Sequence, residues 1–156
     1  MAASAPLSPS NLTTRLYVAL NAVPFWLLAL IARVATFTVF WRAGQVKLAD
    51  WPGTLSLFAT EYRVPILPPD IAAVMAASFE LGGSVLILVG LATRPAVAVL
   101  LGMIAVIQIF VYPSAWPDHI QWVAFMALLL FRGPGAFSLD ALISRWLHPG
   151  PAFATA

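Results

Sequence analysis

The chain has 156 residues, of which 62% are hydrophobic and 9% are charged, and its mean hydropathy is +0.92. Soluble domains carry about 25% charged residues, so this composition excludes a soluble domain and predicts one membrane-embedded unit with room for four spans. The net charge of +2 comes without a basic run, which argues against nucleic-acid binding, and the absence of Cys excludes thiol relays, iron–sulfur ligation and disulfides.

The first predicted membrane helix runs from about Pro24 to Lys47. An amphipathic stretch from Leu12 to Val23 precedes it and is predicted to lie along the membrane interface. The first 14 residues carry no Lys or Arg, which is not typical of a cleaved signal peptide. We therefore expect the first span to act as an uncleaved signal anchor.

The second predicted membrane helix, Ile71 to Ala92, contains an ionisable residue near its middle. This residue, Glu80, interrupts a stretch that is otherwise apolar or small. A charge at mid-membrane costs on the order of 3 kcal/mol even on insertion scales, so such residues are usually paired, hydrated or used. Arg33, near the middle of the first helix, is the expected partner. Between the two helices, a long connection includes a helix-like segment from Thr54 to Tyr62.

Small residues line the helix face that carries Glu80. They recur at helical spacing and are Ala73, Ala76, Ala77, Gly83 and Ser84. Small residues let another helix approach closely, which holds membrane helices together. We therefore expect Arg33 and Glu80 to form a buried pair between the first two membrane helices. Such a pair either fixes the register of the bundle or takes part in chemistry, and the sequence leaves both interpretations open.

Two further membrane helices follow. Pro95 to Val111 comes after a tight turn at Thr93 to Pro95. The last apolar stretch, His119 to Phe131, has 13 residues and would rise only roughly 20 Å, against about 30 Å of hydrocarbon. We expect this helix to begin earlier, near Trp116, or to be sheltered by its neighbours.

The C-terminal part is predicted to form a short amphipathic helix, capped by Ser138 and running to about Trp146. The short loop at Thr93 contains Arg94, whereas the loop from Tyr112 to Asp118 has no basic residue. The positive-inside rule therefore predicts that both termini are cytoplasmic.

The predicted fold is an all-α, integral membrane four-helix bundle. We expect a single domain over residues 1–156. Residues 1–23 would form a tail and interfacial segment, residues 24–131 the transmembrane core, and residues 132–156 an amphipathic segment and tail.

Polar and aromatic side chains are predicted to gather at the outer end of the bundle. Beside Asp118 and Gln121, those expected at similar depth are Lys47, Gln108, Tyr112, His119 and Trp122. Above Arg33 and Glu80, they could form a polar mouth suited to a quinone headgroup. Glu80, Arg33 and His119 are the candidate catalytic residues, and the other four are candidate cofactor-binding residues. The alternative is that His119 and Trp122 only anchor a helix end at the interface.

Haem and metal sites are not predicted. His119 and His148 are expected on opposite sides of the membrane, so they cannot both ligate one haem. The four methionines are not clustered and are typical of packing residues. If the chain takes part in redox chemistry, a diffusible cofactor is therefore the expected electron carrier.

Several short motifs, in order along the chain, resemble those of a known family. They are Arg42-Ala-Gly44-Gln-Val-Lys47, Phe79-Glu80-Leu-Gly-Gly, Gly90-Leu-Ala-Thr93-Arg94 and Gly133-Pro-Gly-Ala-Phe-Ser138-Leu-Asp140. From Arg33 to Arg145 the chain resembles the DoxX family of small bacterial four-helix membrane proteins. Two longer segments, LFATEYRVPILPP and VIQIFVYPSAWPDHIQW, are similar to DoxX members that accompany bufferin-type metal-binding peptides.

The resemblance implies a multi-pass protein of the bacterial cytoplasmic (inner) membrane. Relatives are linked to quinone-coupled oxidation of sulfur compounds, or to oxidative and metal stress. It implies no defined reaction for this branch, so whether the chain is itself an oxidoreductase subunit stays open.

Two hypotheses follow. In the first, the chain is a redox accessory subunit that binds quinone and works with an operon-encoded partner handling metal or sulfur. Arg33 would hold Glu80 ionised or polarise a carbonyl group, Glu80 would relay a proton, and His119 would exchange it with the outside. In the second, the chain is a noncatalytic membrane anchor, or an export or assembly helper, for a metal-binding peptide system.

Overall fold

The computed structural model describes residues 12–147, and the regular secondary structure in that range is helical. Its helices are α1 (Leu12–Asn21), α2 (Phe25–Ala49), α3 (Trp51–Leu57), α4 (Pro69–Val89), α5 (Thr93–Val111), α6 (Trp116–Arg132) and α7 (Leu139–Leu147). The all-α prediction is therefore confirmed. His148 and the outermost tail residues, to which the sequence assigned positions, lie outside the described residues.

Four helices, α2, α4, α5 and α6, form the bundle. The α2 helix packs against α4 and α6, and α5 packs against the same two helices, so the four close into a ring. The largest fully buried apolar side chains in its core are Ile87, Val97, Leu100, Met126 and Leu129. Each bundle helix except α2 supplies at least one of them, and α2 contributes Ala29, Ala32 and Phe40.

Within residues 12–147, three helices are long and apolar enough to cross a membrane. They are α2 with 25 residues, α4 with 21 and α5 with 19. The α6 helix has 17 residues, a rise of about 25 Å, which is shorter than the hydrocarbon core of about 30 Å. It begins at Trp116, as expected from its short apolar stretch. Pro117 lies in its first turn, where proline is favoured because N–H groups in the first turn have no hydrogen-bond partner within the helix.

The two ends of the bundle differ in character. We call one end the arginine end; it contains the turn at residues 90–92 and the loop at residues 133–138. We call the other end the loop end; it contains the connections at residues 50–68 and 112–115. The prediction of cytoplasmic termini would place the arginine end on the cytoplasmic face.

The turn at the arginine end lies slightly earlier than the sequence predicted. Gly90 and Ala92 both have positive φ, +71° and +47°, and α5 already begins at Thr93. Asp140 caps that helix from α7, since its carboxylate oxygens accept from the N–H groups of Ala92 at 2.8 Å and Thr93 at 3.0 Å. The predicted cap of α7 is confirmed, because the Ser138 hydroxyl oxygen accepts from the N–H group of Ala141.

A glycine on α2 allows close packing against α4. A Cβ atom on Gly44 would lie 2.6 Å from Cγ of Leu81 and 3.3 Å from Cβ of Glu80. On α4, the small residues Ala73 and Ser84 are fully buried. The expected small-residue contact therefore exists, and it brings the backbone around Glu80 directly against α2.

Candidate functional site

The predicted pair between Arg33 and Glu80 is wrong. Arg33 is buried at the arginine end, where its Nε atom donates to the carbonyl oxygens of Ile87 at 3.0 Å and Leu88 at 3.1 Å. Its Nη1 atom donates to the carbonyl oxygen of Phe137 at 2.6 Å. The last carbonyls of a helix lack helical partners and attract a cation. Arg33 therefore joins the end of α4 to the loop before α7, about 10 Å along α4 from Glu80.

Glu80 is paired with Lys47 instead. The Nζ atom of Lys47 lies 2.7 Å from Oε1 of Glu80, and the two side chains are 16% and 5% exposed. The second carboxylate oxygen, Oε2, is buried and has no hydrogen-bond partner among residues 12–147. Leaving a buried acceptor unpaired costs about 1–3 kcal/mol, and more when the group is charged. This oxygen therefore has an unused capacity to accept a hydrogen bond.

An apolar cavity of about 230 Å³ lies beside this pair, in the half of the bundle nearer the loop end. Lys47, Tyr62 and Glu80 are the residues in its wall that carry polar side-chain atoms. The apolar wall comes from α4, α5, and the segment of residues 58–67, and includes Phe58, Leu67, Met75, Phe79, Gly102, Met103 and Ile107. A few polar groups converging in an apolar pocket are typical of a small-molecule site.

Three π-helical turns surround the cavity. They are Phe58–Tyr62 after α3, Phe79–Gly83 within α4 and Ile107–Val111 at the end of α5. Each contributes at least one residue to the cavity wall. A π turn is a wide, rare interruption of an α-helix that often occurs at functional sites. The Ser84 hydroxyl donates to the carbonyl oxygen of Leu81 at 3.0 Å, which pairs one carbonyl of the turn around Glu80.

Three other predicted site residues form a separate polar cluster outside the cavity wall. The Nδ1 atom of buried His119 lies 2.6 Å from Oε1 of Gln108, whose Nε2 atom donates to the carbonyl oxygen of Pro113. The His119 and Trp122 rings are 5.1 Å apart, and Trp122 packs edge-on against Phe40. These contacts tie α6 to the end of α5. The structure does not bring them to Glu80.

Tyr112, the remaining predicted site residue, lies next to the cavity at the loop end without lining it. Its hydroxyl group donates to the Glu61 carboxylate, and this hydrogen bond raises the pKa of Tyr112. Its ring packs edge-on against Tyr62, with centroids 5.6 Å apart. Burial raises the pKa of Tyr62, so both hydroxyl groups stay protonated at neutral pH.

Tyr62 was missed as a site residue by the sequence analysis. The helix-like segment from Thr54 to Tyr62 was recognised, yet nothing in its pattern shows that it folds over α4 and α5. The aromatic spacing of Phe58 and Tyr62, four residues apart, was the available signal, because such residues share one helix face. Their rings are 4.8 Å apart in the structure.

The DoxX family model matches residues 28–113, more than half of the chain. The chain belongs to the DoxX family. This DoxX protein is 26% identical over 125 residues to the inner membrane protein YqjF of Escherichia coli strain K12, an alignment covering 74% of this chain and 92% of YqjF. No solved structure matches the chain. The family, the relative and the three apolar helices confirm a multi-pass protein of the inner membrane.

The region matched by the DoxX model contains Lys47, Glu80 and all three π turns. It ends before α6 and α7, so His119 and Asp140 lie beyond it. The cavity and its ion pair thus belong to the part of the chain that this DoxX protein shares with the family model.

Proposed function

We propose that this DoxX protein holds the ring of a lipid-borne redox cofactor, with quinone as the leading candidate, in the cavity beside Lys47 and Glu80. It would act as the membrane-embedded accessory subunit of an oxidoreductase system whose metal- or sulfur-handling partner is encoded nearby. The observation that carries the proposal is the unpaired Oε2 atom of Glu80 beside an apolar cavity.

The size of the cavity supports a ring-sized ligand. Its volume of about 230 Å³ is below the range of about 300–1,000 Å³ for pockets that enclose drug-sized molecules. A single substituted ring fits this space, and a long isoprenoid tail has to remain in the surrounding lipid. Gly102 of α5 lines the cavity, is exposed and has no side chain, so the cavity is open to the outside of the bundle at this position.

The polar groups lie at one point of the wall, 2.7 Å apart, and suit one ring oxygen of a quinone in its oxidised and its reduced form. The Lys47 ammonium group has N–H donors beyond the one given to Glu80, and these suit a carbonyl oxygen. The Oε2 atom of Glu80 is an acceptor and suits a ring hydroxyl group. A bound quinone would supply reversible two-electron, two-proton chemistry.

In that chemistry, Glu80 accepts or returns the proton of the ring hydroxyl group, and Lys47 compensates the charge of the carboxylate. The Lys47 side chain is 16% exposed, so the ion pair is accessible from the loop end of the bundle. This replaces the sequence-based relay from Glu80 to His119, since His119 does not line the cavity.

Filling the cavity tests the proposal directly. A Cβ atom on Gly102 would meet nothing within 4 Å, and the same holds for Gly82, which is exposed on α4 outside the cavity wall. Gly102→Leu should block binding of a short-tailed ubiquinone or menaquinone analogue to the purified protein. Gly82→Leu, the matched control, should bind the analogue as the wild type does.

A second variant tests the role of the Glu80 carboxylate in ligand binding. Glu80→Gln keeps the shape of the side chain but removes its charge, so it should weaken binding of the reduced analogue more than that of the oxidised one. Saturable binding that is indifferent to Gly102→Leu and Glu80→Gln would place the ligand elsewhere. Absence of saturable binding, with the operon-encoded partners also present, would favour the alternative of a noncatalytic anchor or export helper for a metal-binding peptide system.

A further inference from the structure

A second cavity, of about 490 Å³, opens at the arginine end, opposite the cavity beside Lys47. It lies between the first turn of α5, the end of α6 and α7. Three arginines line it, Arg94, Arg132 and Arg145. The positive-inside argument used Arg94 only as a topology signal, whereas the fold brings the three arginines from three separate helices to one space.

The charge of this cavity is positive. Asp140 is the acidic residue in its wall, and both of its carboxylate oxygens already accept from the backbone N–H groups of Ala92 and Thr93. Within residues 12–147, the ion pair between Lys47 and Glu80 is the only salt bridge. None of the three arginines is therefore neutralised by a carboxylate in this part of the chain.

Two of the guanidinium groups are held in place by the protein. The Nε atom of Arg94 donates to the carbonyl oxygen of Leu130 at 3.1 Å, and the Arg132 guanidinium lies 4.7 Å above the Phe25 ring. These contacts leave further N–H donors of each group free. Positioned guanidinium groups favour phosphate oxygens, which accept paired hydrogen bonds in a matching plane.

An unpartnered buried hydroxyl group points to a ligand as well. Thr93 lines the cavity and is fully buried, and its Oγ1 atom has no hydrogen-bond partner in the described part of the chain. A buried hydroxyl group without a partner is unfavourable. A phosphate oxygen in the cavity would accept from it, in addition to the arginines.

The surface around the cavity suits the headgroup level of a bilayer. Exposed apolar side chains flank it on α7 and the preceding loop: Phe137, Leu142, Ile143 and Trp146. An amphipathic helix of this kind lies in the membrane interface with its apolar face toward the acyl chains. We propose that the cavity binds a phosphate group, and its position beside α7 favours the headgroup of an anionic phospholipid as the source.

The test uses the full-length protein in detergent, titrated with phosphatidylglycerol or cardiolipin and followed by native mass spectrometry. Phosphatidylcholine serves as the zwitterionic comparison, and inorganic phosphate and glycerol phosphate represent soluble sources. We expect saturable binding of the anionic lipids. If soluble phosphates compete at comparable concentrations, the phosphate source is soluble; if only the lipids bind, it is the headgroup.

Arg145→Gln is the informative variant, because Arg145 is exposed and lines the cavity. It should weaken binding about fivefold, as expected for one basic residue near an anionic headgroup. Arg42→Gln, an exposed position toward the loop end of α2, is the matched control and should not change binding. Equal losses of affinity in both variants would mean that only the net charge of the protein matters, and would contradict a site in this cavity. Absence of saturable binding by every phosphate-bearing probe would contradict it as well.

Discussion

Replacing Lys47 by Met should destabilise the bundle more than replacing its partner Glu80 by Gln. In Lys47→Met, Glu80 keeps a side chain that is only 5% exposed and loses the single hydrogen bond that Oε1 accepts from Lys47, while Oε2 already has none. Breaking a buried ion pair by removing one partner costs about 3–5 kcal/mol.

The opposite variant leaves a charge that can move. Lys47 lies two residues before the end of α2, and its side chain is partly exposed, so in Glu80→Gln the ammonium group can turn toward the interface. We expect a smaller cost of about 1–3 kcal/mol, because the Gln amide oxygen can still accept from Lys47 but the bond no longer joins two opposite charges. The double variant should be more stable than Lys47→Met alone, because no buried charge remains.

Apparent melting temperatures in one detergent, at one scan rate, measure this order. For a chain of this length, 1 kcal/mol corresponds to about 2–4 °C, so Lys47→Met should melt about 6–20 °C below the wild type. Arg42→Met is the control, since it removes an exposed cation from the same helix. A Lys47→Met variant that melts like Arg42→Met, or a double variant that melts below both single ones, would refute the buried pair.

Three further predictions concern the packing of the bundle. Arg33→Gln should lower the melting temperature by several degrees, through the freed carbonyls at the end of α4, yet leave quinone-analogue binding intact; lost binding with unchanged melting would return Arg33 to the cofactor site. Asp140→Asn should cost about 1 kcal/mol, since it weakens the cap on α5, and a melting curve identical to the wild type would contradict that role. Gly44→Ala should cost about 1–3 kcal/mol by overpacking, whereas Gly82→Ala, which meets open space, should be neutral or stabilising; equal effects would show that the helices do not approach at Gly44.

The positions of the membrane helices could be predicted from the sequence because hydropathy and proline act locally. Apolar length identifies a span, and Pro69 and Pro117 fall in the first turns of α4 and α6, where proline is favoured. The predicted starts at Ile71 and near Trp116 are therefore within two residues of the observed ones. The Ser138 cap is also local and was predicted correctly.

The partner of Glu80 could not be predicted in the same way. Arg33 and Lys47 both recur at helical spacing along α2, so periodicity alone admits either residue. The choice depends on how far α2 slides along α4, and a long connection between the two helices leaves that register undetermined. In the structure, Gly44 has no side chain and lies directly against Leu81 of α4. In this register Lys47, rather than Arg33, lies beside Glu80.

The π turns explain why the cavity could not be predicted from the sequence. A π turn comes from the packing of a whole helix, and no residue pattern distinguishes Phe79–Gly83 from a regular α-helical turn. Such turns are rare, so three of them around one cavity indicate that the helix backbones help to shape it. If the helix backbones rather than the side chains set the shape of the cavity, filling it from Gly102 should change ligand binding before it changes stability. A large loss of stability in Gly102→Leu would instead mean that the cavity is closed by packing and has no room for a ring.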